Sequence, residues 1–269
     1  MYIIFRTNPV DEPFIFDCVD RHWEQTDAFR ENGLPFYNYL QTEKGQGIVE
    51  VCGKKILLRE NEGIMIAPFI GHSYRKLDEN WYTCFITITG TIESSIPKII
   101  GNHPYILYGA EKGKQTALLI DRCIENYNKH SPADMKQTSL DCYNILLHLS
   151  SENSDQNINN DPLFCQYVKP VLNEIESSFA HDTSVEELSK IVFITPQYLS
   201  RLFQRYLSCT TSDYIIKFRI SKAKELLISM PKMSIQEVAY HSGFNDVSHF
   251  IAIFKKRTGY TPLEFRKNN

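Results

Sequence analysis

The chain has 269 residues, of which 42% are apolar and 23% charged. That is the composition of an ordinary globular protein, long enough for two domains, and it excludes fibrous and disordered classes. No apolar run approaches the roughly 18–20 residues that span a bilayer. The net charge of −3 hides an asymmetry: residues 165–269 carry 14 Lys and Arg against 10 Asp and Glu, a net +4, while residues 1–164 carry 15 against 22, a net −7. A polyanionic partner is therefore expected for the C-terminal part alone.

The first ten residues, MYIIFRTNPV, lack a basic leader followed by an apolar run, so a cytoplasmic chain without a secretory signal is expected. Seven cysteines, at 18, 52, 84, 123, 142, 165 and 209, never form Cys-x-x-Cys and are expected as reduced thiols rather than metal ligands.

Residues 1 to about 100 read as β structure. YIIFR (2–6), FIFDCV (14–19), FYNYLQT (36–42), GIVEVCGKKILL (47–58), GIMIA (63–67) and WYTCFITIT (81–89) are short and rich in β-branched and aromatic residues. Gly, Pro, Asn and Asp punctuate them, and Cys52-Gly53 is placed for a tight turn. Such spacing predicts a barrel or sandwich. Two stretches of helical periodicity follow, at 114–130 and 134–151, separated by SPA. They are expected either to close the open end of the β domain or to pair with another subunit. The polar stretch SSENSDQNINNDP (150–162) reads as a linker. Everything beyond it reads as helical.

The helical part contains an echo. TSVEELSKIVFITPQYLSRLFQRYLS (183–208) and MSIQEVAYHSGFNDVSHFIAIFKKRTG (233–259) both open with a capping box, Ser184 with Glu187 and Ser234 with Glu237. Both first helices carry apolar or small residues at i, i+3, i+4 and i+7: Val185, Leu188, Ser189 and Val192, then Ile235, Val238, Ala239 and Ser242. A short turn follows. Thr195-Pro196 supplies a cap and a first-turn proline in one copy; Gly243 and a capping Asn245 are expected in the other. The second helices align with an offset of 51, turning Leu199, Leu202 and Phe203, or Phe250, Ile253 and Phe254, inward. A single amphipathic pair would be ordinary core packing. Two copies with matching caps, small residues and aromatics point to a double helix-turn-helix. Between them TTSDYIIKFRISKAKELLISM (210–230) predicts about five turns of uninterrupted helix.

On the segments YLSRLF, YIIKFRISKAKELL, IQEVAYHSGF and FKKRTGYTPLEFR, residues 168–267 resemble the DNA-binding domain of the AraC/XylS family of bacterial transcription regulators. Phe193 departs from the family's usual Gly, and Ala252 from a frequent Arg. The resemblance implies base reading by Gln197, Ser200 and Arg201 in the first unit and by Ser248, His249 and Ala252 in the second. Arg and Gln suit guanine and adenine, whereas Ser and His offer single bonds and Ala only a methyl contact. Thr195, Gln204, Arg205, Asn245, Lys255, Lys256 and Arg257 are expected at phosphates, which hold register without reading sequence.

KGQGIVEVCGKKILLRENEGIMIAPFIGHSYR resembles the cupin-like effector-binding domain common in the same family. Metal-binding cupins carry His-x-His and a later Glu; the matching segment here is YLQTEKGQG, so no metal and no cofactor are expected. No nucleophile elbow, phosphate loop or zinc-protease motif occurs, and an enzyme is not expected. By position in sugar-responsive relatives, ligand contacts would fall on Arg30, Tyr74, Thr83 and Phe85, with His72 and Trp81 nearby. Tyr74, Trp81 and Phe85 are equally suited to a plain core.

The expected fold is α+β: a cupin-like β-barrel with two helices over 1–150, a linker over 151–163, and an all-α domain over 164–269 with two helix-turn-helix units joined by a long helix. The partners implied are double-stranded promoter DNA, RNA polymerase, a small-molecule effector, such as a sugar, and a second copy of the chain, with no membrane. The alternative keeps the DNA-binding role and gives the barrel only dimerisation or protein docking.

Overall fold

The computed structural model describes residues 3–4, 12–129, 134–150, 161–180 and 183–268. Two compact units emerge, Met1–Glu152 and Asn153–Asn268. The first is built on two antiparallel sheets. Ten strands are β1 (Ile3–Ile4), β2 (Ile15–Glu24), β3 (Ala28–Arg30), β4 (Tyr37–Lys44), β5 (Gly47–Val51), β6 (Lys54–Leu58), β7 (Gly63–Ile66), β8 (His72–Lys76), β9 (Tyr82–Thr89) and β10 (Tyr105–Tyr108). One sheet runs β1-β2-β9-β4-β7-β10 and the other β3-β8-β5-β6.

Period-two alternation decides which way each strand faces. On β4, Leu40 sits between Phe85 of β9 and Ile64 of β7, and Thr42 sits beside Thr83. Leu40, Ile64 and Phe85 join Val49, Val51, Tyr74 and Trp81 in the cluster between the sheets. The alternate residues Tyr39, Cys84 and Ile86 point outward, into a second cluster with α2 (Ala110–Lys129) and α3 (Met135–Ser150) through Ile120, Cys142, Ile145 and Leu149. The two helices therefore cover the outer face of the large sheet. The expectation that they close an open end fails because that sheet face is itself apolar and must be buried. Arg21 of β2 fastens this layer, donating to Glu43 of β4 at 2.5 Å and pairing with Asp121 of α2.

Cys52-Gly53 forms the expected turn, with φ of 51° and 72° at the two positions, the geometry of a type I′ hairpin. Gly47 is required for another reason: a Cβ there would lie 2.4 Å from the Trp81 ring, which packs on its backbone. Strands β3, β8 and β10 and the short helix α1 (Ile96–Ile100) were not foreshadowed by pattern. The SPA break (131–133) and residues 151–160 of the linker lie outside the described residues. Residues 161–163 start a helical run, with the Asp161 carboxylate accepting from the Leu163 N–H at 2.9 Å.

The second unit is helical throughout its described residues. A π-helical turn (Phe164–Val168) leads into α4 (Lys169–Ser178), then α5 (Val185–Ile191), α6 (Pro196–Leu207), α7 (Thr211–Ser229), α8 (Ile235–His241), α9 (Val247–Thr258) and α10 (Pro262–Asn268). Both capping boxes are formed. Helices α5 and α8 then end alike. Ile194 N–H bonds to Ser189 O and Phe193 N–H to Lys190 O; Phe244 N–H bonds to Ala239 O and Gly243 N–H to Tyr240 O. These are the two bonds of a Schellman stop, whose C′ residue is left-handed. That residue is Phe193 (φ 55°) in one copy and Gly243 (φ 90°) in the other.

The glycine is imposed by packing, because a Cβ at Gly243 would meet the Phe179 carbonyl oxygen at 2.3 Å. Phe193 meets nothing comparable and is 94% exposed. Phe193→Gly is expected to raise stability by up to about 1 kcal/mol by removing left-handed strain from a bulky residue. Gly243→Ala is expected to lower it by more than about 2 kcal/mol through strain and overpacking. Thermal denaturation of both variants reads the signs; equal effects would contradict the packing asymmetry.

Candidate nucleic-acid interface and barrel interior

Helix α6 starts at Thr195, whose hydroxyl accepts from the Tyr198 N–H at 3.2 Å, with Pro196 in the first turn. It buries Leu199, Leu202 and Phe203, as its spacing requires. Its opposite face leaves Gln197, Arg201, Gln204 and Arg205 exposed, at i, i+4, i+7 and i+8. Ser200 departs from this stripe. It is half-buried, with its Oγ 3.5 Å from Oγ1 of Thr211, which is fully buried at the start of α7.

Helix α9 repeats the design with one adjustment. Its N-cap is Asp246, whose carboxylate accepts from the His249 N–H at 2.7 Å. The expected cap Asn245 is instead an extra exposed residue in the turn. The repeat offset is 50 residues up to the left-handed position and 51 from the cap onward, so Asn245 is the insertion. Of the three residues expected to face inward, Phe250 and Phe254 are fully buried and Ile253 is partly buried. Ser248, His249, Ala252, Lys255 and Lys256 form the exposed stripe. Gln197, Arg201, Gln204 and Arg205 thus correspond to Ser248, Ala252, Lys255 and Lys256, and Ser200 corresponds to the half-buried Ile251. The first stripe carries a bidentate guanidinium at its centre; the second carries a methyl group there and two ammonium groups at its end.

Two of the expected phosphate ligands have carboxylate partners. Arg205, 61% exposed, lies 3.8 Å from Asp161 and over the Tyr206 ring. Arg257 is drawn into an ion pair with Asp213 of α7 and is only 20% exposed. Sequence alone could not supply that partner, which lies 44 residues away. Helix α7 is itself a spine, with Ile215, Ile220, Ala223 and Leu227 all buried.

In the first unit, the six expected ligand contacts separate into three groups. Arg30, His72 and Val51 lie side by side across β3, β8 and β5, as do Ala28, Tyr74 and Val49. The Tyr74 hydroxyl accepts from Asn38 Nδ2 at 2.7 Å, which joins the two sheets, and the His72 and Tyr74 rings are 5.1 Å apart. Asn38 escaped notice, although the alternation of FYNYLQT places it on the same face as Leu40. Trp81 forms a second group: fully buried, its indole donates to Thr42 Oγ1 at 3.0 Å. Thr83 lies opposite Thr42. The Trp81 ring sits over Gly47, four residues along β5 from the level of His72, roughly 13 Å at strand rise. Phe85 makes a third group, edge-on to Trp23 at 6.0 Å.

Two polar atoms in this interior, His72 Nε2 and Thr83 Oγ1, are buried without a hydrogen-bond partner. Burial, with a smaller push from the Arg30 charge, lowers the His72 pKa below the ordinary imidazole value, while its bond to the Ile70 carbonyl opposes the shift. Burial pushes the Tyr74 phenol well up. Among the described residues no cluster of three His, Cys, Asp or Glu side chains could hold a metal, and no helix is long and apolar enough to cross a membrane. A surface cleft of about 420 Å³ between α2 and α3 was also unforeseen; Asp141 at its wall accepts from Asn126 and Gln137.

Residues 188–268 match the family model described as a helix-turn-helix domain. An uncharacterised HTH-type transcriptional regulator in the cgkA 5′ region of Pseudoalteromonas carrageenovora is 36% identical over 93 residues, 35% of this chain. The match spans 54% of that relative, about half its length. The arabinose operon regulatory protein of Escherichia coli is 25% identical over 261 residues, covering 88% of this chain and 82% of that protein. The crystal structure of unsaturated fatty acid-bound wild-type ToxT from Vibrio cholerae has a TM-score of 0.52 at 16% identity and covers 97% of both chains, a likeness of fold. It agrees with the α+β architecture of a β-rich N-terminal unit and a helical C-terminal unit.

The His72 shift yields a pH test. A histidine held neutral by the fold contributes stability that is present above its unfolded pKa, about 6.5, and is lost as pH falls below it. The stability difference between the wild type and His72→Gln is therefore expected to shrink from pH 7.5 to pH 5.5 in chemical denaturation. A difference that stays constant or widens would mean that His72 is not held neutral.

Proposed function

The chain belongs to the AraC family of transcription regulators, and we propose from that premise that it grips promoter DNA with both helix pairs and activates transcription under the control of a small molecule. The observation that supports this reading most is the pair of exposed stripes at equivalent positions of α6 and α9. They are joined by a 19-residue spine, about 28 Å long at helical rise. Consecutive major-groove faces of one DNA side repeat roughly every 34 Å, a span such a spine suits. In this reading Gln197 and Arg201 read base edges, Ser248 and His249 add single hydrogen bonds, and Ala252 tolerates any base. Thr195, Gln204, Arg205, Asn245, Lys255 and Lys256 serve phosphates. Ser200 contributes less than its position in the family implies, because it turns toward Thr211.

The working division is an effector and dimerisation domain over 1–150, a linker over 151–163 and a DNA-binding domain over 164–269. The small molecule would lie between the sheets, against the unsatisfied His72 Nε2 and beside Tyr74, and would satisfy a ring nitrogen that the fold leaves open. The exposed apolar stripe Leu140, Tyr143 and Leu147 on α3 suits pairing with a second copy. The site of action is the cytoplasm, with RNA polymerase as the downstream partner and no catalysed reaction. A second reading keeps the DNA role and makes the barrel a dimerisation or docking module. It is favoured by an interior already occupied by Leu40, Val49, Ile64, Tyr74 and Trp81.

A thermal-shift screen of metabolites on the full chain separates the two. An effector at 100 times its dissociation constant should add about 2.7 kcal/mol, and persistent absence of any shift favours the second reading. For the DNA role, Arg201→Ala is expected to weaken binding by about 1–3 kcal/mol and to relax preference at one base pair. Ala252→Arg is expected to create a preference in the other half-site. Uniform loss across all sequences for the first, or unchanged selectivity for the second, would show that these stripes do not face base edges.

A further inference from the structure

Arg257 stands in the last turn of α9, where its charge type suits a DNA phosphate. Its guanidinium is instead committed within the protein. Nη2 donates to Oδ1 of Asp213, and the two side chains are 20% and 28% exposed. The second carboxylate oxygen, Oδ2, takes the Lys217 ammonium at 3.1 Å. Asp213 is held for this task. Its backbone N–H donates to the Thr210 hydroxyl at 3.2 Å, which places it in the first turn of α7, where the helix dipole favours a carboxylate.

The place of this network in the chain gives it meaning. Helix α6 ends at Leu207 and α7 starts at Thr211, so Asp213 sits at the end of the spine that adjoins the first recognition helix. Arg257 belongs to the second recognition helix. The ion pair therefore ties the far end of one reading helix to the root of the other.

We propose that Asp213 and Arg257 are positioning residues forming a spacing clamp, which fixes the separation and angle of the two recognition helices and so selects DNA whose two half-sites are correctly spaced. The clamp rests on the proposed DNA-binding role. Two rigidly joined helices can engage two blocks of bases together only at one spacing, because each inserted base pair rotates the second block by about 35° around the duplex. Loosening the clamp lets the second helix follow a displaced block. A guanidinium engaged in this way also makes no phosphate contact, so it adds nothing to the salt dependence of binding.

The test uses the full chain with Asp213→Asn, Arg257→Gln and the double variant, and with Asp213→Glu and Arg257→Lys as milder changes that retain charge. The probe is a duplex selected by the wild-type chain from a random pool, together with versions whose half-sites are one base pair closer or farther apart. Preference for the native spacing is expected to fall about five- to tenfold in each of the Asn and Gln variants. It should fall no further in the double variant, by less in the milder ones, and the slope of log affinity against log salt should stay unchanged. The proposal is overturned if Arg257→Gln weakens binding equally at all spacings and lowers the salt slope by about one while Asp213→Asn does nothing, the signature of a phosphate contact. It is equally overturned if the milder variants bind normally and every variant that binds DNA keeps the wild-type spacing preference. A wild-type chain that enriches no sequence from the pool would instead overturn the DNA-binding role itself.

Discussion

Two helices of seven residues each, α5 and α8, are too short to persist alone, so the C-terminal unit depends on the turn that folds each against its successor. That turn is made by one left-handed residue and two backbone bonds, the same in both copies. Once it is made, the direction of the next helix is set. Its apolar residues fall into the core, and its i, i+4, i+7 and i+8 positions face outward as a continuous stripe. The chemistry of each stripe is then free to vary without disturbing the fold. This allows Arg201 and Ala252 to occupy equivalent places in one molecule. The same constraint accounts for the inward turn of Ser200 and Ile251, which lie beside the stripe and support the packing.

The N-terminal unit solves a different problem. Its large sheet is apolar on both faces, so it needs the small sheet on one side and α2 and α3 on the other. Polar side chains bridge these layers, Asn38 to Tyr74 between the sheets and Arg21 to Asp121 between sheet and helix, while Trp81 to Thr42 and Arg21 to Glu43 pair polar groups along the large sheet. Against that background His72 Nε2 and Thr83 Oγ1 are left unsatisfied between the sheets, as are His103 Nδ1 and the Tyr108 hydroxyl elsewhere in the unit, although buried polar groups ordinarily find partners. His72 and Thr83 support the proposal that the interior holds a ligand, against a purely structural role.

Much of this was legible in the sequence because it rests on local chemistry. Capping boxes, Thr195-Pro196, the Cys52-Gly53 turn and the inward Leu199, Phe203, Phe250 and Phe254 follow from spacing over a few residues. What escaped rests on distance or on a single inserted residue. Asp246 took the capping role expected of Asn245 because the second turn is one residue longer, and both residue types cap equally well. Arg257 read as a phosphate ligand because its partner Asp213 is remote in the chain. Strand β8 was missed because HSYRK is polar, although His72 and Tyr74 alternate inward. Of the ligand contacts carried over by resemblance, Arg30, His72 and Tyr74 lie on strands the pattern did not reveal, and strand levels about 13 Å apart separate Trp81 from His72.

In the proposed reading, two helix pairs built alike meet DNA unequally, the first reading bases and the second holding the backbone. Selection of duplexes from a fully randomised pool by the wild-type chain, followed by sequencing, measures this directly. Two enriched blocks about one helical turn apart are expected, one sharply defined and the other nearly free in sequence. Two blocks of equal sharpness would contradict the asymmetry between Arg201 and Ala252, and a pool that shows no enrichment would contradict sequence reading by either helix.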